Sequence, residues 1–330
     1  MHNKNMLIVQ TFLLLLWQPS YTANFITTGR FGGRFGDQLL LYAKAKAFSY
    51  IFKIPYSYRP FLHSHQLRLH GIEKKYPAKY ARPKTIEIRH QEKLRHALIQ
   101  HAKTNTLYAV DYRAHVNPFL LPEEFRLTMR KLIHPQRCIK PLKLFTEEIS
   151  VAIHVRRGDC YPHRGGYGLK CHEDEEYIEL LKHLLDQLKN TKIYVHIFTD
   201  DSQPQIIAQK FETSIKKRNV NPMSTVRIKA SYLNENATIK RNARFGHETG
   251  KNNQNPHSIV RDFCNMASAD YLIRPYGSNF SIMAQFAGNH KMVLAVKDPH
   301  PETPEYIEKT YCRDNKATAK NKEQINFVLQ

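Results

Sequence analysis

The sharpest change of pattern lies mid-chain, where the β-branched, apolar run Ile149-Ser150-Val151-Ala152-Ile153-His154-Val155 breaks into Arg156-Arg157-Gly158-Asp159. A short apolar run bounded by charge and glycine predicts a buried strand. Comparable runs predict strands over 25–28, 54–58, 85–89, 106–110, 193–199, 226–230, 271–274 and 292–296. Between them, apolar residues recur at helical spacing over 38–52, 91–102, 122–133, 173–189, 204–211, 258–268 and from Ser278 to Ala287. In 173–189, Tyr177, Leu180, Leu181, Leu184, Leu185 and Leu188 share one face, and acidic residues crowd the first turn, where the helix dipole favours them. Pro122 falls in the first turn of its helix, where a missing N–H is tolerated. Residues 234–256 are polar, basic and glycine-interrupted, a loop pattern, and the tail from Lys297 is charged.

Repeated strand–loop–helix units with polar residues at the strand ends describe an α/β chain whose second half is doubly wound and nucleotide-binding-like. The pattern places an N-terminal α/β domain over 24–145 and a C-terminal Rossmann-like domain over 146–330. The hydrophobic share of 42% and charged share of 24% are those of a soluble globular chain, long enough at 330 residues for two cores.

A net charge of +21 changes the picture, because such a surplus attracts polyanions: nucleotide, nucleic acid, acidic glycan or anionic lipid. Nucleic acid is set aside as a partner, since the charge is spread along the chain and no duplex- or single-strand-reading motif accompanies it. Lys4 precedes an apolar run of eleven residues, Leu7 to Trp17, closed by Pro19. As a helix that run rises about 16 Å, roughly half a bilayer core, so residues 1–23 read as a signal peptide, with a signal-anchor as the alternative. Either predicts a body in the secretory pathway (Golgi lumen or membrane in a eukaryote) or exported, with membrane association through this segment or the basic surface. Of the five cysteines, Cys138, Cys160, Cys171, Cys264 and Cys312, the odd count leaves one thiol free unless chains are cross-linked. Cys160 and Cys171 bracket a Gly-rich loop and are the best-matched disulfide pair. Together with His163 and His172 they fit no common zinc spacing.

Two stretches carry candidate chemistry. Arg156 and Arg157 at a strand end offer two fixed guanidinium forks to the carboxyl edge of a sheet, which suits a phosphorylated ligand; solvated charges at a strand end are the bland alternative. The loop Gly29-Arg30-Phe31-Gly32-Gly33-Arg34-Phe35-Gly36-Asp37 joins a strand to a helix N-terminus, a ready cradle for an anion or substrate, although it matches no nucleotide-binding glycine motif. Asp37 falls at the expected helix N-cap, where capping and chemistry both suit it.

These stretches also carry a resemblance. Gly33-Arg34-Phe35-Gly36-Asp37-Gln38, followed by Tyr42-Ala43, resembles the G-x-x-G-N-Q…Y-A opening of the α-1,2-fucosyltransferase family (glycosyltransferase family 11). His154-Val155-Arg156-Arg157-Gly158-Asp159 is similar to its H-x-R-R-G-D, Phe198-Thr199-Asp200-Asp201 to its F-S-D-D, and Ser278-Asn279-Phe280-Ser281 to its S-x-F-S. The same skeleton occurs in α-1,6- and protein O-fucosyltransferases. The resemblance implies a GT-B-like fold of two facing Rossmann-like domains, the second binding GDP-fucose, with a glycan or glycoprotein acceptor entering the cleft. It implies inverting transfer with no metal or other cofactor. Arg156 would then meet the β-phosphate, with Arg157 sharing the field or holding the loop. His154 would touch ribose or guanine or be a core histidine, and Asp159 would lie near the site. Asp262 would read guanine, Ser278, Phe280 and Ser281 would line the phosphate turn, and Gly36, Asp200 and Asp201 would support the donor loop. Asp37 stands where the family usually has asparagine and is the candidate general base, with Asp159 and His163 as the other candidates. The chain also lacks the tryptophans the family tends to place after S-x-F-S, since Ile282-Met283 follow instead. Transfer from another GDP-sugar, a protein O-fucosyltransferase-like acceptor, and a catalytically lapsed exported glycan- or polyanion-binding protein are the alternatives. Asn236-Ala237-Thr238 and Asn279-Phe280-Ser281 are glycosylation sequons.

Overall fold

A computed structural model describes residues 24–29, 33–75, 84–100, 106–136, 148–157, 171–188, 192–217, 225–232 and 257–296. The first sheet holds β1 (Phe25–Thr28), β2 (Lys84–Ile88) and β3 (Thr106–Val110), all parallel in the order β1-β3-β2. Around it lie α1 (Phe35–Phe52), α2 (Leu69–Ile72), α3 (Gln91–Gln100) and α4 (Glu123–Ile133), with single turns of 3₁₀-helix at Ser64–Gln66 and Pro118–Leu120. The second sheet contains β4 (Ile149–Val155), β5 (Ile193–Thr199), β6 (Val226–Tyr232), β7 (Tyr271–Pro275) and β8 (Met292–Val296), parallel throughout in the order β6-β5-β4-β7-β8. Its helices are α5 (Asp174–Gln187), α6 (Pro204–Lys216), α7 (His257–Ser268) and α8 (Asn279–Ala287).

Alternation along β4 sorts the second domain into layers. Val151, Ile153 and Val155 belong to one apolar cluster with Tyr177, Leu181 and Leu184 of α5 and Phe211 of α6. Ala152 points the other way, into a cluster shared with Phe263 and Met266 of α7 and Met283 and Phe286 of α8. That second cluster continues through Phe35, Leu39 and Phe48 of α1 to Ile26 of β1 and Tyr108 of β3, so one core binds the two sheets together.

The expected strand over 54–58 is absent as a strand. Tyr56 and Tyr58 make isolated bridges to Ile26 and Lys75, because Pro55 has no N–H to give a ladder; only its carbonyl takes part, accepting from Ile26 N at 2.9 Å. Helix α1 begins at Phe35, three residues before the expected start at 38, so Asp37 is not the N-cap but lies inside the first turn, and Arg34 is the N-cap. Pro122 likewise caps α4 from outside its first turn. Cys171 is disulfide-bonded, its partner lying outside the described residues, and Cys264 is a free thiol. The leader, Cys138, Cys160, Cys312, the sequon at Asn236, the basic loop 234–256 and the tail from Lys297 also lie outside them. Among the described residues no helix is long and apolar enough to cross a membrane.

Candidate active site

The chain builds the second sheet outward from β4, first through β5 to β6 and then back across to β7 and β8. The crossover direction therefore reverses between β4 and β7, whose registers pair Ile153 with Ile273, and ligands of open α/β sheets bind outside the carboxyl ends at such a point. Arg156 and Arg157 follow β4 there, and the turn leading to Ser278 follows β7.

Arg156, the first residue after β4, is buried, with 3% of its surface exposed, while His154 within the strand lies on the α7–α8 side of the sheet. His154 is fully buried, its ring 5.6 Å from that of Phe280. The Arg157 guanidinium pairs with Asp174 at the start of α5 and donates to the His172 carbonyl at 2.6 Å. Asp200 accepts from Arg157 N at 2.5 Å, and its other oxygen lies 3.9 Å from Arg34 Nη1. Asp201 accepts from Gln203 N at 2.8 Å, a turn that launches α6.

The N-termini of α1 and α8 meet at this place. A Cβ on Gly36 would stand 2.5 Å from both Cα and N of Phe280, so glycine alone lets the two first turns touch. Gly33, at φ +74°, folds its backbone over the Asp37 carboxylate. Asp37 Oδ2 accepts from Arg34 N at 3.1 Å and Oδ1 from the Asn279 amide at 2.6 Å. The contacts close a loop: from Asp37 to Asn279, through Phe280 to His154, along the chain to Arg157, then through Asp200 to Arg34 and back. Two helix N-termini, each equivalent to about half a positive charge, lie on that loop, which passes through the backbone of the buried Arg156.

Within α8 the two serines part company. Ser278 is the N-cap, yet its hydroxyl makes no capping bond; Oγ is buried without a hydrogen-bond partner among the described residues. Ser281 donates its hydroxyl back to the Ser278 carbonyl at 3.3 Å and is fully buried. The Phe280 ring packs among Phe35, Phe263 and His154. Asp262 lies in α7 beside Phe263, 3% exposed, with Oδ2 unpartnered among the described residues and Oδ1 3.5 Å from Arg261 Nε. Burial pushes its carboxyl up to about 6, and Arg261 opposes the shift. Asp159 and His163 lie outside the described residues.

No protein-family model matches this chain, and no curated protein matches its sequence. Among solved structures, a point mutant of Arabidopsis thaliana FUT1 in complex with GDP superposes with a TM-score of 0.50 and 11% identity, over 90% of this chain and 76% of that one. This chain has the FUT1 fold. POFUT1 in complex with GDP aligns at a TM-score of 0.48 and 10% identity over 81% of this chain and 96% of its own. NodZ alpha-1,6-fucosyltransferase soaked with GDP-fucose aligns at 0.38 and 15%, over 83% and 94%. The FUT1 likeness fits the GT-B-like expectation of two α/β domains carrying parallel sheets.

Three residues of this site were not singled out for a role from the sequence. Arg34 and Gln38 sit inside the glycine motif, which was the available signal. Gln38 donates to Gly33 O at 3.0 Å and accepts from Leu62 N at 2.8 Å, tying the loop to the turn before Ser64. Asn279 gave only a sequon.

Proposed function

We propose that this protein is an inverting, metal-independent glycosyltransferase that moves fucose from GDP-fucose to a hydroxyl of a glycan, in the manner of the α-1,2-fucosyltransferases. The observation that carries the reading is the buried Arg156 directly after β4 at the switch point, in a sheet whose following helix α8 has its N-terminus packed against that of α1. In the reaction the acceptor oxygen bonds to C1 of fucose, the bond from C1 to the phosphate oxygen breaks, and its electron pair leaves with the diphosphate. Negative charge therefore grows at the β-phosphate, where Arg156 and the α8 N-terminus with its free Ser278 hydroxyl would receive it. Donors fixed before the reaction need no reorganisation as that charge develops, and this is why the arrangement serves transfer without a metal. The acceptor hydroxyl's proton would pass to Asp37, which stands at the same seam. Asp262 would accept from the N1–H and N2 amine of guanine, a use for a carboxylate otherwise buried with an idle oxygen. The GDP held by the FUT1 structure supports this choice of nucleotide.

The test is a thermal-shift panel of GDP, GDP-fucose, GDP-mannose and UDP-sugars with a chelator present, followed by donor turnover. Stabilisation by GDP and GDP-fucose and release of GDP from GDP-fucose are expected. Equal response to UDP-sugars, or no turnover of any GDP-sugar, would contradict the reading.

A further inference from the structure

Asn279 opens α8, and its side chain reaches a residue 242 positions away, donating to Asp37 Oδ1 at 2.6 Å. The other oxygen of that carboxylate accepts from Arg34 N at 3.1 Å. Asp37 is thus held once by the first domain and once by the second. A carboxylate has about four lone-pair sites, so two such bonds leave room for an incoming hydroxyl. The approach of Gly36 to the Phe280 backbone fixes the two helix turns against each other, so the bond joins two elements that cannot slide independently.

We propose that Asn279 is a positioning residue for the transfer reaction. It holds the Asp37 carboxylate in register with the N-terminus of α8, so that the group taking the acceptor's proton and the helix receiving the diphosphate form one rigid unit. This rests on the reading of Asp37 as general base. An amide N–H₂ only donates, so it selects an accepting oxygen and turns the remaining lone pairs of the carboxylate toward the cleft. Misplacement of a reacting group by about 1 Å can slow a reaction by orders of magnitude, which gives the contact its weight.

The experiment uses the full chain and release of GDP from GDP-fucose, with GDP affinity and unfolding temperature measured beside it. Asn279→Ala is expected to lower kcat about tenfold or more while KM for GDP-fucose stays within about twofold. The exchanged pair, Asp37→Asn with Asn279→Asp, rebuilds the hydrogen bond with its direction reversed. It is expected to unfold at the wild-type temperature and bind GDP normally, yet turn over no faster than Asp37→Asn alone. Recovery of turnover in the exchanged pair would show that the bond is only a clasp and overturn the proposal. If Asp37→Asn is inactive and Asn279→Ala fully active, the positioning role alone falls. If Asp37→Asn keeps full turnover, the base assignment falls and takes the positioning role with it.

Discussion

Replacing Asp262 with asparagine should strengthen the free protein and weaken its hold on GDP. In the folded chain burial lifts the Asp262 carboxyl to about 6, whereas an unfolded aspartate titrates near about 3.9. A rise of roughly two pKa units corresponds to about 3 kcal/mol of folding free energy at about 1.36 kcal/mol per unit. The native state binds the proton more tightly than the unfolded one, so wild-type stability falls as pH rises from about 4 to about 6 and is level above that. Asparagine has no charge to bury, but it leaves a buried amide whose desolvation takes back about 1 kcal/mol. The net expectation is a variant about 2 kcal/mol more stable at pH 8, a shift of about 3 °C in Tm for a chain of this size, and no advantage near pH 4. Thermal denaturation of both proteins across pH 4.5–8 reads this directly. A GDP titration at pH 8 should show the opposite trend, an affinity about 10- to 100-fold lower, because one amide cannot accept from both guanine donors. An advantage that does not change with pH, or a variant less stable than wild type at pH 8, would refute the reasoning.

Gly36→Ala should force α1 away from α8, since the new methyl would lie 2.5 Å from backbone atoms that cannot rotate aside; a loss of about 1–3 kcal/mol in denaturant unfolding and loss of GDP-fucose turnover are expected. Arg157→Ala should remove the brace on α5 at Asp174 and leave that carboxylate without its arginine, lowering stability by about 1–3 kcal/mol while GDP affinity falls far less than in an Arg156 variant. Equal losses of affinity in the two variants would put both guanidiniums on the ligand.

The second sheet was legible because its strands are continuous apolar runs with charged ends: 193–199 and 292–296 were read to the residue, as was 106–110 in the first sheet. The stretch 54–58 misled because Tyr56 and Tyr58 have strand chemistry, while Pro55 spoils the ladder at one position. Residues 64–72 were not read as helical, since turns as short as Ser64–Gln66 and Leu69–Ile72 have no room to show a period. Helix α1 starts earlier than its pattern predicts because Gly36 reads as loop; its presence inside a helix is explained by Phe280, a partner 244 positions on. At the site, residue types were legible and directions were not. Arg156 and Arg157 are adjacent in sequence, yet one is buried and the other pairs with Asp174, and Ser278 and Ser281 share a motif while, among the described residues, only the Ser278 hydroxyl has no partner. The course of Arg157 depends on Asp174, a partner 17 positions on that no local pattern announces.

The claim that everything else depends on is that Arg156 receives the diphosphate of a guanine nucleotide at the switch point of the second sheet. Calorimetric titration of GDP into the wild-type protein and into Arg156→Ala, at one salt concentration and with a chelator present, tests it most directly. Saturable binding by the wild type and an affinity at least about 100-fold weaker in a variant that still unfolds cooperatively is the predicted result, in keeping with about 1.5–3 kcal/mol for each hydrogen bond to a charged group. Equal affinity in the two proteins would contradict it.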